Sequence, residues 1–528
     1  MVHLTDAQAL AAATPDRLIN VVSAPGSGKT TIAAERYGYL RYQAGDLRGV
    51  LGLTFNRAAA AELRERINRR WGANCIMPAH RVATFDHLHV DLLTHLIEEK
   101  IITWQGVNTD SDRHDDHKKE ASQPTDVLPL DVRDDYRGLK GFRFLEAGQY
   151  KRLATLNNSL SVVSISKVVK KYGMGIGTKE CHENVLKSGI ISHEDVRSIL
   201  EEALKFEEPR KFAADWLSRN YRALVIDEVY DADSLDLNIV RLASDSDLSV
   251  TLIGDPWQAI YKWRGATPQL VENLLRDTSE HFKAYQQPES FRFQGDQMPQ
   301  LAADLRQGLG VSLPEVDSSE VDVALARNWT QLWSVGDNVL PLAFHTVNNN
   351  TDAAMNLLLD VVTRARLSTA SYGRESAIMK LGLDHGDFQA KQDRKLMPII
   401  NSLIAGKDET EVLDDLRGAI KSFGLRKPSR LHDDDKEAEI RLQLTRLAER
   451  LKQKTVIPGL TVFQAKGLEW ERVGVALSHT QLAALTSGLH ELEEEHCIIY
   501  VAITRARRFC GLLSGAPEPK EDQLQLDM

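Results

Sequence analysis

The sequence predicts an α/β protein with two parallel sheets, each interrupted by a mainly helical insertion. Three observations carry that prediction. An apolar run, Leu18 to Val22, enters the glycine turn Ser23-Ala24-Pro25-Gly26-Ser27-Gly28-Lys29-Thr30, and a helical pattern starts at Thr31. The layout of strand, polar or aromatic tip and helix then repeats over residues 49–70. Further apolar runs of strand length follow at Ala223 to Ile226 and Val250 to Ile253, and again at Leu460 to Phe463, Val473 to Leu477 and Phe509 to Leu513. Continuous apolar runs of this length suit strands buried on both faces.

Bulk properties set limits. A chain of 528 residues has room for about three or four domains. Its 27% charged and 42% hydrophobic content is that of a soluble globular protein. No apolar run reaches the roughly 18 residues of a membrane span, and Met1 to Asp6 shows no basic-then-apolar signal pattern. Cys75, Cys181, Cys497 and Cys510 are scattered, which excludes a Cys-rich zinc or iron–sulfur site and points to a reduced, cytoplasmic setting. A net charge of −10 excludes a uniformly basic surface but leaves room for a narrow basic groove.

In chain order, Thr5 or Asp6 can cap a short helix carrying Gln8. The Gln8 amide has the donor and acceptor that an adenine edge needs; the alternative is an exposed helical residue. In the glycine turn, Gly26 and Gly28 let backbone N–H groups close on phosphate oxygens. Lys29 is placed to reach β- and γ-phosphates and Thr30 to hold Mg²⁺, with the N-terminus of the next helix adding positive potential. Ser23 stands where the eight-residue pattern usually starts with glycine. A helix over 31–44 ends at Gly45, and Phe55-Asn56-Arg57 and Thr84 to His87 form the tips of the next two units. In an open parallel sheet such tips lie at the carboxyl ends of strands, where ligands bind.

Residues 90–220 break the pattern, with a polar, acidic stretch from Thr109 to Asp135 that reads as a surface loop or a disordered segment. The sheet resumes at Ala223 and ends in Asp227 and Glu228. Behind a phosphate loop, Asp227 suits a Mg²⁺ ligand and Glu228 a base for an attacking water. Gly254 to Ala266 packs an amide, two rings and a guanidinium into one block. Gln258 suits a γ-phosphate sensor, Tyr261 and Trp263 suit base stacking and Arg264 a phosphate contact; the alternative for each ring is packing.

Together these stretches resemble superfamily 1 DNA helicases of the UvrD/Rep/PcrA type. The resemblance rests on Gln8, Ala24 to Thr31, Leu53 to Leu63, Thr84-Phe85, Val225 to Glu228, Gly254 to Ala266, Glu289 to Arg292, Thr461 to Trp470 and Tyr500 to Ala506, in the family's order over almost the whole chain. It implies two RecA-like P-loop NTPase domains. Domain 1A would comprise 1–90 and 206–285, with insertion 1B at 91–205. Domain 2A would comprise 286–351 and 455–516, with a reduced helical insertion 2B at 352–454. The tail, 517–528, would be mobile.

The resemblance also implies roles. Gln8 and Phe291 would meet adenine, Glu469 the ribose, and Ser23 to Thr31 the phosphates. Thr30 and Asp227 would hold Mg²⁺, with Glu228 as catalytic base. Lys29, Gln258, Arg292 and Arg505 would meet the γ-phosphate, Arg505 reaching across a cleft between the domains. Phe55, His87, Tyr261, Trp263 and Arg264 would contact single-stranded DNA. The expected activity is ATP-driven 3′-to-5′ translocation on single-stranded or 3′-tailed DNA. A second reading is an ATP- and DNA-sensing subunit that gates a partner such as a nuclease in an antiviral defence complex, and repair or replication proteins are further partners. A small-molecule enzyme is a third reading, opposed by the aromatic residues. The ending Gln523-Leu524-Gln525-Leu526-Asp527-Met528 weakly resembles sliding-clamp docking peptides; a frayed end is the alternative. Departures from the family pattern fall on Asp86, Tyr230, Phe463, His496 and Cys497. The charged runs of 432–437 and 441–452 read as a solvated face.

Overall fold

The computed structural model describes residues 4–43, 45–104, 130–132, 151–156, 159–164, 189–345, 347–381, 383, 388–423, 428, 430–431 and 433–517. The tail peptide at 523–528 and nearly all of the acidic stretch at 109–135 lie outside these residues. The chain divides into two units: 1–255 with 264–289, and 256–263 with 290–528.

Unit 1 begins with α1 (Asp6–Ala13), closed by a capping box between Thr5 and Gln8. The next elements are β1 (Leu18–Ser23), α2 (Lys29–Tyr42), β2 (Gly49–Thr54), α3 (Arg57–Trp71), β3 (Arg81–Thr84) and α4 (Phe85–Glu98). Beyond the insertion come α5 (His193–Ala203), α6 (Glu207–Asn220), β9 (Tyr221–Asp227), α7 (Ser234–Asp245), β10 (Ser249–Gly254), α8 (Pro268–Asp277) and β11 (Lys283–Gln287). The six strands order as β11-β1-β10-β9-β2-β3, and every pairing is parallel. Ile19, Val21, Ile32, Tyr37, Val50, Leu63 and Val225 share one core cluster. Helices α2 and α3 approach closely because residue 38 is glycine: a Cβ there would lie 2.1 Å from Trp71 Cε2.

Among its described residues the insertion holds short strands beside its helical segments. The strands are β4 (Ile102–Trp104), β5 (Asp131–Val132), β6 (Lys151–Leu156), β7 (Ser159–Ser164) and β8 (Ile190–Ile191). Strands β6 and β7 pair antiparallel, and β4 pairs with β7. The reason is local. Leu160 and Val162 alternate with serines at period two, so one face of β7 is apolar, and Val162 is fully buried.

Unit 2 is built on a second parallel sheet, ordered β13-β14-β12-β15-β16. Its elements are α9 (Gln297–Arg306), β12 (Val323–Ala326), α10 (Trp329–Ser334), β13 (Val339–Pro341), α11 (Asn350–Leu367), α12 (Arg374–Leu381), α13 (Phe388–Ile404), α14 (Glu409–Lys421), α15 (Asp434–Lys452), β14 (Ile457–Thr461), α16 (Val462–Ala465), β15 (Trp470–Ala476), α17 (His479–Ser487), α18 (Glu494–Ile503) and β16 (Ala506–Leu512). The described elements within 352–454 are helices, and their Leu358, Ile399, Leu416 and Leu447 belong to the same core cluster as Val323, Val339 and Val473 of the sheet.

The charged runs of 432–437 and 441–452 are not wholly a solvated face. Glu437 and Arg450 are buried. Both guanidinium N–H₂ groups of Arg417 donate to Glu437 at 2.8 Å, and this pairing outweighs burial to hold the Glu437 carboxyl below its ordinary value. Arg450 donates to the carbonyls of Val339 and Trp333. Both partners of the Arg417–Glu437 pair are almost inaccessible, with side-chain exposures of 3% and 5%. Glu437→Ala, which leaves the Arg417 charge buried without its partner, is expected to destabilise unit 2 by about 3–5 kcal/mol. A lowered urea midpoint would register the loss; an unchanged midpoint would show that the pair contributes nothing.

Candidate functional site

In unit 1 the strongest grouping lies at the carboxyl ends of β1 and β9. The glycine turn is set by backbone need: φ is +74° at Gly26 and +86° at Gly28, a region that residues with a Cβ avoid. Ser27 N–H donates to the Ala24 carbonyl at 3.1 Å, and Ala24 N–H donates to Gln287 of the edge strand at 3.0 Å. Gln8 is buried rather than exposed. Its Nε2 donates to the Ser27 carbonyl at 2.8 Å, and its Oε1 accepts from Thr5 N–H at 3.0 Å. Gln8 thus braces the turn from below, a tie nineteen residues long in sequence. Thr31 turns its hydroxyl toward α3, where it accepts from Arg66 at 3.0 Å.

Lys29 opens α2, is nearly buried, and holds its Nζ 3.8 Å from Glu228 Oε1. Asp227 ends β9. Burial, and then Glu228, raise its carboxyl above the ordinary value; Lys29 and a hydrogen bond donated by Thr30 oppose that shift. Glu228 sits at φ +58°, ψ +44°, a left-handed conformation that costs a non-glycine residue of order 1–3 kcal/mol and clusters at functional sites.

This set fits a Mg²⁺-bound triphosphate. The Ser23 and Ser27 hydroxyls are buried and find no hydrogen-bond partner among the described residues. The turn places backbone N–H groups and a helix N-terminus beside an ammonium group. One hydroxyl, Thr30, and one carboxylate, Asp227, meet at a single point, which suits an ion that keeps several waters. No group of three or more His, Cys, Asp or Glu suited to a metal occurs among the described residues.

The tips of β2 and β3 bring Phe55 and Phe85 into a stack with centroids 5.0 Å apart, and His87 is exposed in the first turn of α4. Tyr230 is buried against Gly254, where a Cβ would lie 2.7 Å from its ring. Of Arg264, only the backbone is among the described residues.

Unit 2 gathers a second grouping. Gln258 is buried, and its carbonyl accepts from Lys466 Nζ at 2.8 Å. Arg292 donates to Glu469 at 2.8 Å and to the Thr504 carbonyl at 2.9 Å. Burial alone would raise the Glu469 carboxyl, but Arg292 and Arg507 hold it below its ordinary value. Arg505 follows α18, is 1% exposed, and donates from Nε to the Val501 carbonyl at 3.1 Å. Phe291 is half exposed. Tyr261 lies 6.2 Å from both Trp263 and Phe463, and Trp263 is 50% exposed. Two cations join this aromatic row: Lys466 over Tyr261 at 4.9 Å and Arg327 over Phe463 at 4.9 Å. Sequence reasoning did not single out either cation. Lys466 lies within Thr461 to Trp470, whereas Arg327, just after a short strand, carries no sequence signal.

Gly28 supplies the sharpest local test. A Cβ there would lie 2.9 Å from Gln8 Nε2, on a backbone already at positive φ. Gly28→Ala is expected to weaken binding of a fluorescent nucleoside triphosphate by about tenfold or more, since a left-handed alanine costs roughly 1–2 kcal/mol. Unchanged affinity in a folded variant would remove the turn from the binding site.

Comparisons with known proteins point the same way. A family model for the UvrD/REP helicase N-terminal domain matches residues 4–279, and one for the UvrD-like helicase C-terminal domain matches residues 342–509. The chain is 24% identical over 348 residues to a probable DNA helicase of Mycoplasma pneumoniae, covering 62% of each protein. It is 26% identical over 272 residues to the ATP-dependent DNA helicase Rep of Escherichia coli, covering 49% of this chain and 36% of that one. It is 24% identical over 287 residues to DNA helicase II of Salmonella typhimurium, covering 52% and 36%. The chain thus spans between about a third and two thirds of the length of these relatives. With the N-terminal model alone matching more than half of its length, and the C-terminal model following in order, this chain belongs to the UvrD/REP helicase family.

Proposed function

We propose that the chain is an ATP-driven translocase on single-stranded DNA that moves 3′ to 5′ and separates strands, hydrolysing ATP at a cleft between its two α/β units. The observation that carries this reading is the meeting of Lys29, Thr30, Asp227 and Glu228 at the ends of β1 and β9. The direction of movement is what the resemblance to the family implies.

The backbone N–H groups of the glycine turn and Lys29 hold the β- and γ-phosphates. Thr30 and Asp227 hold Mg²⁺, which offsets phosphate charge. Glu228, turned toward Lys29 by its left-handed backbone, orients the attacking water and takes its proton. Arg292 and Arg505 of unit 2 add the charges that complete the clamp on the γ-phosphate, with Gln258 beside them. Phe291 and Gln8 flank the base, and Glu469 meets the ribose. Tyr261, Trp263 and Phe55 stack on DNA bases, and His87 and Arg264 meet its backbone. Pro256 to Trp263 leave the end of β10 and belong to unit 2, so the chain itself links the sheet that ends in Glu228's neighbours to the aromatic row.

ATP turnover measured with and without single-stranded DNA tests the reading; absence of stimulation would overturn it. Strand displacement should occur on a 3′-tailed duplex and not on a 5′-tailed one. Lys29→Ala and Arg505→Ala are each expected to abolish turnover. Trp263→Ala should weaken single-stranded DNA binding by about 1–3 kcal/mol, and DNA stimulation should fall with it. Binding should weaken as salt rises.

A further inference from the structure

We infer that Arg197, on helix α5 at the end of the inserted segment, is a positioning residue that couples DNA contact to the placement of Glu228. This rests on the function proposed above and adds to it a connection within unit 1.

The connection starts at the first turn of α4. Phe85 there stacks on Phe55, the proposed base-stacking ring at the tip of β2. The start of α4 also carries His87, exposed, Asp86, partly buried, and His89, buried. Two polar ties run from it to α7. In the first, Arg197 Nη1 lies 3.8 Å from Asp86 Oδ1, while Nη2 of the same guanidinium pairs with Asp233 Oδ2. In the second, a close approach not aligned as a hydrogen bond, His89 Nε2 lies 3.0 Å from Asp236 Oδ1, and both side chains are buried.

The receiving end is a capping box. Asp233 accepts from the N–H groups of Leu235 and Asp236 at 2.9 and 3.0 Å, and Asp236 accepts from Asp233 N–H at 3.1 Å. The box therefore fixes the chain direction at the start of α7. Only one short 3₁₀ turn, Val229–Asp231, separates it from Glu228. That turn is itself pinned, with Asp231 N–H donating to the Glu228 carbonyl at 2.9 Å. A shift of the cap must pass to Glu228, whose backbone is already in the left-handed region.

Charge explains why an arginine is needed. Asp86, Asp233 and Asp236 converge within this small region. A forked guanidinium can hold the first two at once, which a lysine's single ammonium does poorly. Asp86 is one of the positions at which this chain departs from the family pattern, so the pairing with Arg197 is a feature of this chain's own residues. A ring displaced at Phe55 by a stacking base would press on Phe85, and the two ties would carry that displacement to the cap.

The test uses the full-length chain and three measurements: ATP turnover alone, turnover with saturating oligo-dT, and oligo-dT affinity by fluorescence anisotropy. Arg197→Met keeps the aliphatic stem and removes the charge; Asp86→Asn keeps the shape and leaves Asp233 with its partner. Both variants are expected to keep turnover without DNA and oligo-dT affinity within about twofold, while DNA-stimulated turnover falls at least fivefold. Arg197→Lys should recover part of the stimulation. A purely structural role would lower thermal stability without changing the stimulation ratio, and that result would overturn the inference. So would a loss of stimulation matched by an equal loss of oligo-dT affinity. Should Arg197→Met fail to fold, Asp86→Asn decides alone. A wild-type chain without DNA stimulation would sink both this inference and the function beneath it; variants that match a stimulated wild type would sink only the inference.

Discussion

Two carboxylates face one ammonium at the end of the first sheet, and unit 1 is arranged around that imbalance. Asp227 is buried, Lys29 is nearly so, and Glu228 approaches Lys29 to 3.8 Å. Burial first, and then the neighbouring Glu228 carboxylate, raise the Asp227 carboxyl above its ordinary value. The surroundings limit the conflict without removing it. The left-handed backbone at Glu228 turns its side chain away from the strand direction, and the N-terminus of α2 adds positive potential beside the turn. Under the proposed function, the ligand brings the missing cation together with the phosphates that Lys29 and the turn receive. The strain at Glu228 is then part of holding a base in place for water, which a relaxed strand end would not do.

The glycine turn was legible in the sequence because its requirements are local. Gly26 and Gly28 are forced by positive φ, and Lys29 and Thr30 follow from the helix that starts there. The buried strands were legible for the same reason, as uninterrupted apolar runs. What could not be read were relations between distant residues. Gln8 looked like a surface position until its amide met the Ser27 carbonyl. Glu437 looked like one of a solvated run until Arg417, on another helix, closed on it. The strands of the insertion were hidden for another reason: they are two to six residues long and separated by long polar tracts, so their period-two signal is brief.

The aromatic row of unit 2 shows what folding adds to such residues. Trp263 and Tyr261 are neighbours in sequence, but Phe463 and Lys466 lie about two hundred residues further on and Arg327 falls between. Packing supports the inner rings: Phe463 lies beneath Arg327, and Tyr261 beneath Lys466 with its hydroxyl near the Phe463 carbonyl. Only Trp263 presents half of its surface. The row thus combines a braced base with one available face, an arrangement suited to stacking because a held ring loses little freedom when a planar group lands on it. Phe463 is a ring with no titratable group, so its place in this row does not depend on a proton.

The helices of 352–454 bear on how unit 2 can move. A mobile subdomain needs a core of its own, since anything it shares with its neighbour is exposed when it swings. Here Leu358, Ile399, Leu416 and Leu447 share one core with Val323, Val339 and Val473 of the sheet. Uncovering a side chain of that kind costs about 1.5–3 kcal/mol, so separating even four would consume most of the stability an ordinary domain possesses. Polar contacts add to the restraint: Arg450 of α15 donates to the carbonyl of Val339 in β13 and stacks over Trp333 of α10. In unit 2, therefore, the sheet and the helices of 352–454 are held together by one apolar core and by the contacts of Arg450.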